Sequence, residues 1–170
     1  RLFTMKFTKI QLTGMFTILV FGIMGIFFIH SHDPLGEFKS QLSFNANTLR
    51  YEYSVIIDQG GAPYYRIVQS LDFLFMIGYG ILIYLIFNNW TIKLRTDLCL
   101  RDNGKLDFDR KIVKKMQYWG LIAAICDAIE TTFIHLMFIN TPNFPDNWAI
   151  IHSSFALIKW VLIGMVIIYF

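Results

Sequence analysis

The sequence predicts an all-α polytopic membrane protein: an antiparallel four-transmembrane-helix bundle with a structured outer loop between helices 1 and 2. Three observations lead to this fold class. The chain of 170 residues is 55% hydrophobic and 17% aromatic, which is more apolar than soluble domains of this length. Four segments are long and apolar enough to cross a hydrocarbon core about 30 Å thick. The segments that connect them differ sharply in charge.

The four predicted spans cover about 10–30, 69–89, 113–140 and 148–170. The first has no charged residue. Its apolar run of about twenty residues exceeds the roughly 7–15 residues of a signal-peptide core, so we expect a retained helix. No internal repeat or soluble domain interrupts the chain, which we interpret as a single membrane domain over 1–170. The two longer connections are an outer loop at 31–68 and an inner loop at 90–112.

The outer loop contains a segment with structure of its own. The stretch "NANTLRYEYSVIIDQGG" (45–61) begins with an asparagine suited to cap a helix and ends at Gly60–Gly61, which stops one. A short helix on the outer surface fits this pattern. The part "YEYSVII" also fits a strand, so the sequence leaves both interpretations open.

Basic residues predict the orientation of the chain. The N-terminal segment 1–9 carries three Lys or Arg and no acid, and the segment 89–115 carries eight Lys or Arg. The connection 31–67 carries only three, against four acids. The positive-inside rule therefore predicts that both termini and the inner loop are cytoplasmic, and we expect the bacterial inner membrane as the location.

Polar residues within the spans are expected to form one intramembrane cluster. Its predicted members are Asp127, Glu130, Lys159, Asp72 and Tyr79. At a rise of about 1.5 Å per residue, the first three fall near the middle of the membrane, and Asp72 lies nearer the outer rim. The two helix 3 acids share the face that carries the small residues of that helix. Because a central charge facing lipid costs about 2.5–3.5 kcal/mol, these groups should face one another.

Two central acids against one lysine leave a surplus carboxyl group. In a purely structural interpretation, Lys159 neutralises Asp127 or Glu130, and the other carboxyl is protonated or hydrogen-bonded. In a functional interpretation, the surplus carboxyl belongs to a proton relay, a cation site or a polar-ligand site. The sequence does not separate the two.

Four histidines fall on the predicted outer side of the membrane: His30, His32, His135 and His152. Interfacial histidines commonly reach towards water and need no further role. The alternative is a metal or haem site, with Asp72 or Asp33 as an additional ligand. No HExxH-like constellation accompanies them, so the sequence specifies no cofactor. The basic inner loop follows from topology and gives no reason to expect nucleic acid.

Three stretches resemble the motifs of one protein family: "SLDFLFMIGYG" (70–80), "AAICDAIET" (123–131) and "ALIKWVLI" (156–163). They are similar to the aspartate–aromatic–Tyr-Gly stretch, the D-x-x-E-N motif and the Lys-aromatic pair in helices 2, 3 and 4 of a largely uncharacterised family of small bacterial four-helix membrane proteins. The resemblance covers most of the chain and implies a four-helix fold, but no activity. The positions that match the motifs are Asp72, Tyr79, Gly80, Asp127, Glu130, Lys159 and Trp160. Thr131 departs from the asparagine usual in the family.

The function hypothesis that follows is a non-catalytic membrane subunit, or a ligand- or partner-binding module, whose Asp/Glu/Lys cluster fixes the bundle. Its expected surroundings are the lipid bilayer, with further copies of the chain or a larger membrane complex as alternative partners. A first alternative is a proton- or ion-coupled transport module that uses Asp127 and Glu130. A second is a membrane redox or metal-binding protein that uses the outer histidines.

Overall fold

The computed structural model describes residues 2–31, 40–100 and 104–169. Five α-helices have both ends within these ranges: α1 Leu2–His30, α2 Ala46–Asp58, α3 Ala62–Leu100, α4 Gly104–Ile139 and α5 Asp146–Tyr169. No strand occurs within the described ranges, and the all-α prediction is confirmed. Helices 1 to 4 of the sequence prediction correspond to α1, α3, α4 and α5.

Four of these helices are long and apolar enough to cross a membrane. The candidate spans are Lys9–His30, Ala62–Lys93, Lys111–Ile139 and Asp146–Ile168. Many of their large apolar side chains point away from the bundle: Ile29 is 77% exposed and Ile168 is 88% exposed. A contiguous apolar exterior of this kind is unusual for a soluble protein and suits a hydrocarbon environment. The chain is therefore a helix bundle with the character of an integral membrane protein.

The helices extend beyond the predicted spans. α3 begins at Ala62 and continues to Leu100, so it includes the end of the predicted outer loop and the start of the predicted inner loop. Charged residues limit the apolar span but do not end the helix. The helix continues because residues 81–100 contain neither glycine nor proline. Pro63 is tolerated because the first N–H groups of a helix have no partner within it.

The connection between α1 and α3 contains the helix α2, which excludes the strand interpretation. Asn45 caps α2, because its side chain accepts a hydrogen bond from the Asn47 backbone N–H at 2.9 Å. The chain leaves the helix through Gly60, whose φ of 77° suits glycine. Both signals were visible in the sequence.

α2 packs on the ends of α3 and α4 through an aromatic cluster. The ring of Phe138 lies 5.5 Å from Tyr53 and 4.8 Å from Tyr65, and Leu49 is completely buried beneath α2. The Arg50 guanidinium donates to the Phe144 carbonyl at 2.6 Å and to the Asp146 carboxylate. These contacts hold the segment around α2 against the start of α5.

The long helices pack in chain order, α1 on α3, α3 on α4, and α4 on α5. Glycines permit the closest approaches. A Cβ at Gly78 would lie 2.6 Å from the Thr17 hydroxyl, and one at Gly80 would lie 2.9 Å from the Ala124 Cβ. In the part of the chain that the structure describes, α1 and α5 make little or no direct contact. The bundle is therefore open between its first and last long helices.

We expect Gly80→Leu to force α3 away from α4 and to destabilise the bundle by about 1–3 kcal/mol, the usual cost of overpacking. Gly22→Leu is the matched control, because a Cβ at Gly22 meets no atom within 4 Å. Thermal unfolding of both variants in the same detergent measures the difference. Equal unfolding temperatures for the two variants would contradict the close α3–α4 contact.

Candidate functional site

Lys159 lies at the centre of a buried polar cluster. Its Nζ is 2.8 Å from Asp127 Oδ1 and 2.7 Å from Glu130 Oε2. Lys159 is 4% exposed, Asp127 is 5% exposed and Glu130 is completely buried. The two acids are one turn apart on α4, so both reach the same ammonium group on α5. The structure thus brings together the three residues that the sequence assigned to the middle of the membrane.

α3 contributes two further groups. The Tyr79 hydroxyl donates to Asp127 Oδ2 at 2.9 Å, and Asp72 accepts a hydrogen bond from the Thr131 hydroxyl at 2.7 Å. Thr131 follows Glu130 directly, so this hydrogen bond holds Asp72 beside the face of α4 that carries Asp127 and Glu130.

Gln41 joins the cluster from the connection between α1 and α2. Its Oε1 lies 3.4 Å from Lys159 Nζ and accepts a hydrogen bond from the Trp160 indole N–H at 3.0 Å. Gln41 is 6% exposed. Sequence reasoning missed it, because charge assigned its segment to the outer surface and Gln41 lies outside the four predicted spans.

His152 extends the cluster along α5. Its Nε2 lies 3.8 Å from Glu130 Oε1, and both side chains are 1% exposed. Its Nδ1 is 3.3 Å from the Ser153 hydroxyl, which donates to the Ser43 carbonyl at 2.8 Å. His152 therefore faces an acid within the bundle. The depth estimate from the sequence placed it near the rim, apart from Glu130.

The other histidines have separate surroundings. His135 Nδ1 lies 3.0 Å from the Thr131 carbonyl, and the exposed His30 has its Nδ1 2.8 Å from the Ile26 carbonyl. His32 lies outside the described residues. Within the described ranges, no three His, Cys, Asp or Glu side chains are grouped as a metal site requires. The metal or haem hypothesis stays a prediction.

A cavity of about 650 Å³ adjoins the cluster. α1 contributes Phe21 and Met24 to its wall, and α5 contributes Ile163 and Val166. The cavity therefore lies between α1 and α5, which make little or no direct contact in the described part of the chain. Most of the lining is apolar. The polar lining residues are Gln41, Asp72, Tyr79, Asp127, Lys159 and Trp160. A hydrophobic space is thus bounded on one side by the hydrogen-bonded cluster.

No protein-family model, curated protein or solved structure matches this chain. The resemblance to small bacterial four-helix membrane proteins stays a prediction.

Lys159→Met is expected to destabilise the protein by about 3–5 kcal/mol, because it leaves buried carboxyl groups without their cation. The triple variant Lys159→Met, Asp127→Asn, Glu130→Gln should recover part of this loss, since no buried ionisable carboxyl then faces Lys159's position. Lys93→Met controls for the loss of a lysine at an exposed site. Thermal unfolding in detergent measures all three. The ion-pair assignment fails if Lys159→Met and Lys93→Met unfold at the same temperature.

Proposed function

We propose that this chain is a non-catalytic membrane protein that binds an amphipathic small molecule in the cavity between α1 and α5. The cavity is the observation that carries the proposal. Its volume of about 650 Å³ falls within the range of about 300–1,000 Å³ that is typical of small-molecule sites. Mostly apolar walls with a few convergent polar groups are also typical of such sites.

The open side of the bundle supports a ligand that comes from the bilayer. Because α1 and α5 scarcely touch in the described part of the chain, a molecule dissolved in lipid reaches the cavity laterally. The apolar part of the ligand then contacts residues such as Met24 and Ile163, and its polar group lies near Tyr79, Asp127 and Lys159. The buried ion pairs hold α4 against α5 and keep one wall of the cavity in place.

We further propose an antiparallel bundle with both termini in the cytoplasm of a bacterium. The contacts between α1 and α3 support opposite helix directions: Gly14 lies against Leu82, whereas the ring of Phe21, later in α1, lies 5.6 Å from the ring of Phe75, earlier in α3. The excess of basic residues at 89–115 supports the cytoplasmic side for that segment. In this orientation Asp72 and Gln41 lie in the outer half of the bundle.

Ile163→Trp tests the cavity, because the larger side chain fills it without adding charge. Ile168→Trp is the control, since Ile168 is on the same helix and 88% exposed. Purification in mild detergent, followed by mass spectrometry of the organic extract, should identify an amphipathic molecule bound to the wild type and to Ile168→Trp. We expect its yield to fall at least about tenfold in Ile163→Trp, the effect of losing roughly 1.4 kcal/mol of binding. Its absence from the wild type, or equal yields in both variants, contradicts the proposal.

A second candidate function, proton-coupled transport, is favoured by the continuity of the polar cluster. Asp127, Lys159 and Glu130 are in direct contact, and Glu130 faces His152 at 3.8 Å. This series leads from the cavity towards Ser43 in the connection before α2. Titratable groups arranged in succession are the components of intramembrane proton relays. A path through so small a bundle would require several copies of the chain.

Under this second candidate, Glu130→Gln interrupts the series and should abolish proton flux into proteoliposomes under an imposed pH gradient. Asp58→Asn is the control for replacing an acid by its amide, because Asp58 is exposed at the end of α2. A fluorescent pH indicator inside the vesicles reports the flux. Wild-type vesicles that show no flux between about pH 5 and 9 would eliminate transport while leaving ligand binding intact.

A further inference from the structure

A second amphipathic site lies on another face of α3 and α4, away from the cavity. It consists of two adjoining hollows between these helices. A polar hollow of about 190 Å³ is lined by Arg66, Gln69, Ser70 and His135, together with aromatic and aliphatic side chains. An apolar hollow of about 490 Å³ follows it along both helices, beginning at Phe73 on α3. The rings of Phe73 and His135, 6.0 Å apart, lie where the two hollows meet.

The polar hollow offers one cation and two acceptor atoms. The exposed Arg66 guanidinium lies over the Phe138 ring at 5.8 Å, and no ion pair joins Arg66 to an acid within the described residues. Gln69 is 2% exposed, and its Oε1 has no hydrogen-bond partner among the described residues. His135 Nδ1 donates to the Thr131 carbonyl, which leaves Nε2 of the neutral ring as an acceptor. A buried acceptor without a donor is destabilising, so a ligand group that donates a hydrogen bond to Gln69 Oε1 would relieve this cost.

The apolar hollow has the shape and composition for a hydrocarbon chain. No polar side chain lines it, and its floor is formed by the small residues Gly80, Ala124 and Ala128. Larger side chains such as Met76 and Leu121 form its walls. The hollow therefore includes the small residues at which the two helices come close, and it adjoins the end of the polar hollow.

The length of α3 places the two hollows at different depths. The candidate span Ala62–Lys93 has 32 residues and is about 48 Å long at 1.5 Å per residue, compared with a hydrocarbon core of about 30 Å. The first turns of α3, which contain Arg66 and Gln69, thus reach the headgroup level. Residues 73–81 lie below them within the hydrocarbon.

We infer that this α3–α4 groove binds a phospholipid, and specifically one with an anionic phosphate and hydroxyl donors in its headgroup, such as phosphatidylglycerol. The phosphate contacts Arg66, the headgroup hydroxyls donate to Gln69 Oε1 and His135 Nε2, and one acyl chain occupies the apolar hollow. The positive charge of Arg66 favours an anionic lipid. The unpartnered Gln69 acceptor favours a headgroup with hydrogen-bond donors, and a choline headgroup has none.

Native mass spectrometry of the full chain in detergent, with equal amounts of phosphatidylglycerol and phosphatidylcholine added, tests the inference. The wild type should retain phosphatidylglycerol in preference. Arg66→Gln should retain about fivefold less, the effect of one basic contact with an anionic lipid. Lys93→Gln, which removes the same charge near the other end of the Ala62–Lys93 span, should behave as the wild type.

Gln69→Leu provides a test that does not depend on charge. Without added lipid, this variant should unfold at the same temperature as the wild type or at a higher one, because it removes an unpartnered buried acceptor. Added phosphatidylglycerol should raise the unfolding temperature of the wild type but not that of Gln69→Leu. Equal retention of the two lipids by the wild type, or equal phosphatidylglycerol retention by Arg66→Gln and Lys93→Gln, overturns the inference. In a second competition with equal amounts of phosphatidylglycerol and phosphatidylethanolamine, a preference for phosphatidylethanolamine overturns the anionic assignment. Ile163→Trp should leave the lipid result unchanged, since its side chain lies in the other cavity.

Discussion

The contact of Lys159 with Asp127 and Glu130 is the interaction on which the rest of the site depends. An isolated charge in an apolar interior is costly, so this ammonium group and these carboxyl groups are tolerated only while they contact each other. Both distances are below 3 Å, which fixes the rotation of α4 relative to α5. The apolar surfaces of the long helices cannot fix that rotation, because lipid and protein interior are similarly hydrophobic. Polar contacts therefore supply the specificity of packing that burial supplies in soluble proteins.

The α1–α3 contact has a different physical basis and leaves a gap. α1 packs on α3 through close approaches such as Thr17 against Gly78, and the described polar cluster includes no α1 side chain. Among the described residues, nothing comparable draws α1 towards α5, and the space between them remains as the cavity. Under the proposed function, a ligand rather than a helix completes the contacts of Tyr79, Phe75 and Ile163 on that side. The polar cluster and the opening between α1 and α5 have the same cause. The polar side chains on the long helices that form the cluster are on α3, α4 and α5, so polar contacts join these three helices but not α1 to α5.

The sequence was sufficient to predict those contacts that depend only on the spacing of residues along a helix. Asp127 and Glu130 share a face because they are three residues apart, and their depth matches that of Lys159, so their contact was predictable. The pairing of His152 with Glu130 was not, since it depends on the tilt and axial offset of α5 against α4. Gln41 and the cavity were not predictable for a related reason. Gln41 is helical but lies in a connection outside the predicted spans, so the periodicity of the spans gives no signal for it. α1 is apolar on every side, so its pattern does not show which neighbouring helix it contacts and which it does not.

The geometry around Lys159 connects the cavity to the segment before α2. Its ammonium group has three N–H donors, and three acceptors surround it: Asp127, Glu130 and Gln41. A ligand acceptor that enters the cavity and binds Lys159 must displace one of them. The carboxylates lie at 2.8 and 2.7 Å and carry charge, whereas the neutral Gln41 amide lies at 3.4 Å, so Gln41 is the least costly to displace. Gln41 precedes α2 by only a few residues, and α2 is attached to α5 through Arg50 and Asp146. If the cavity binds a ligand as proposed, its occupancy is linked through one ammonium group to the position of the segment that leads into α2.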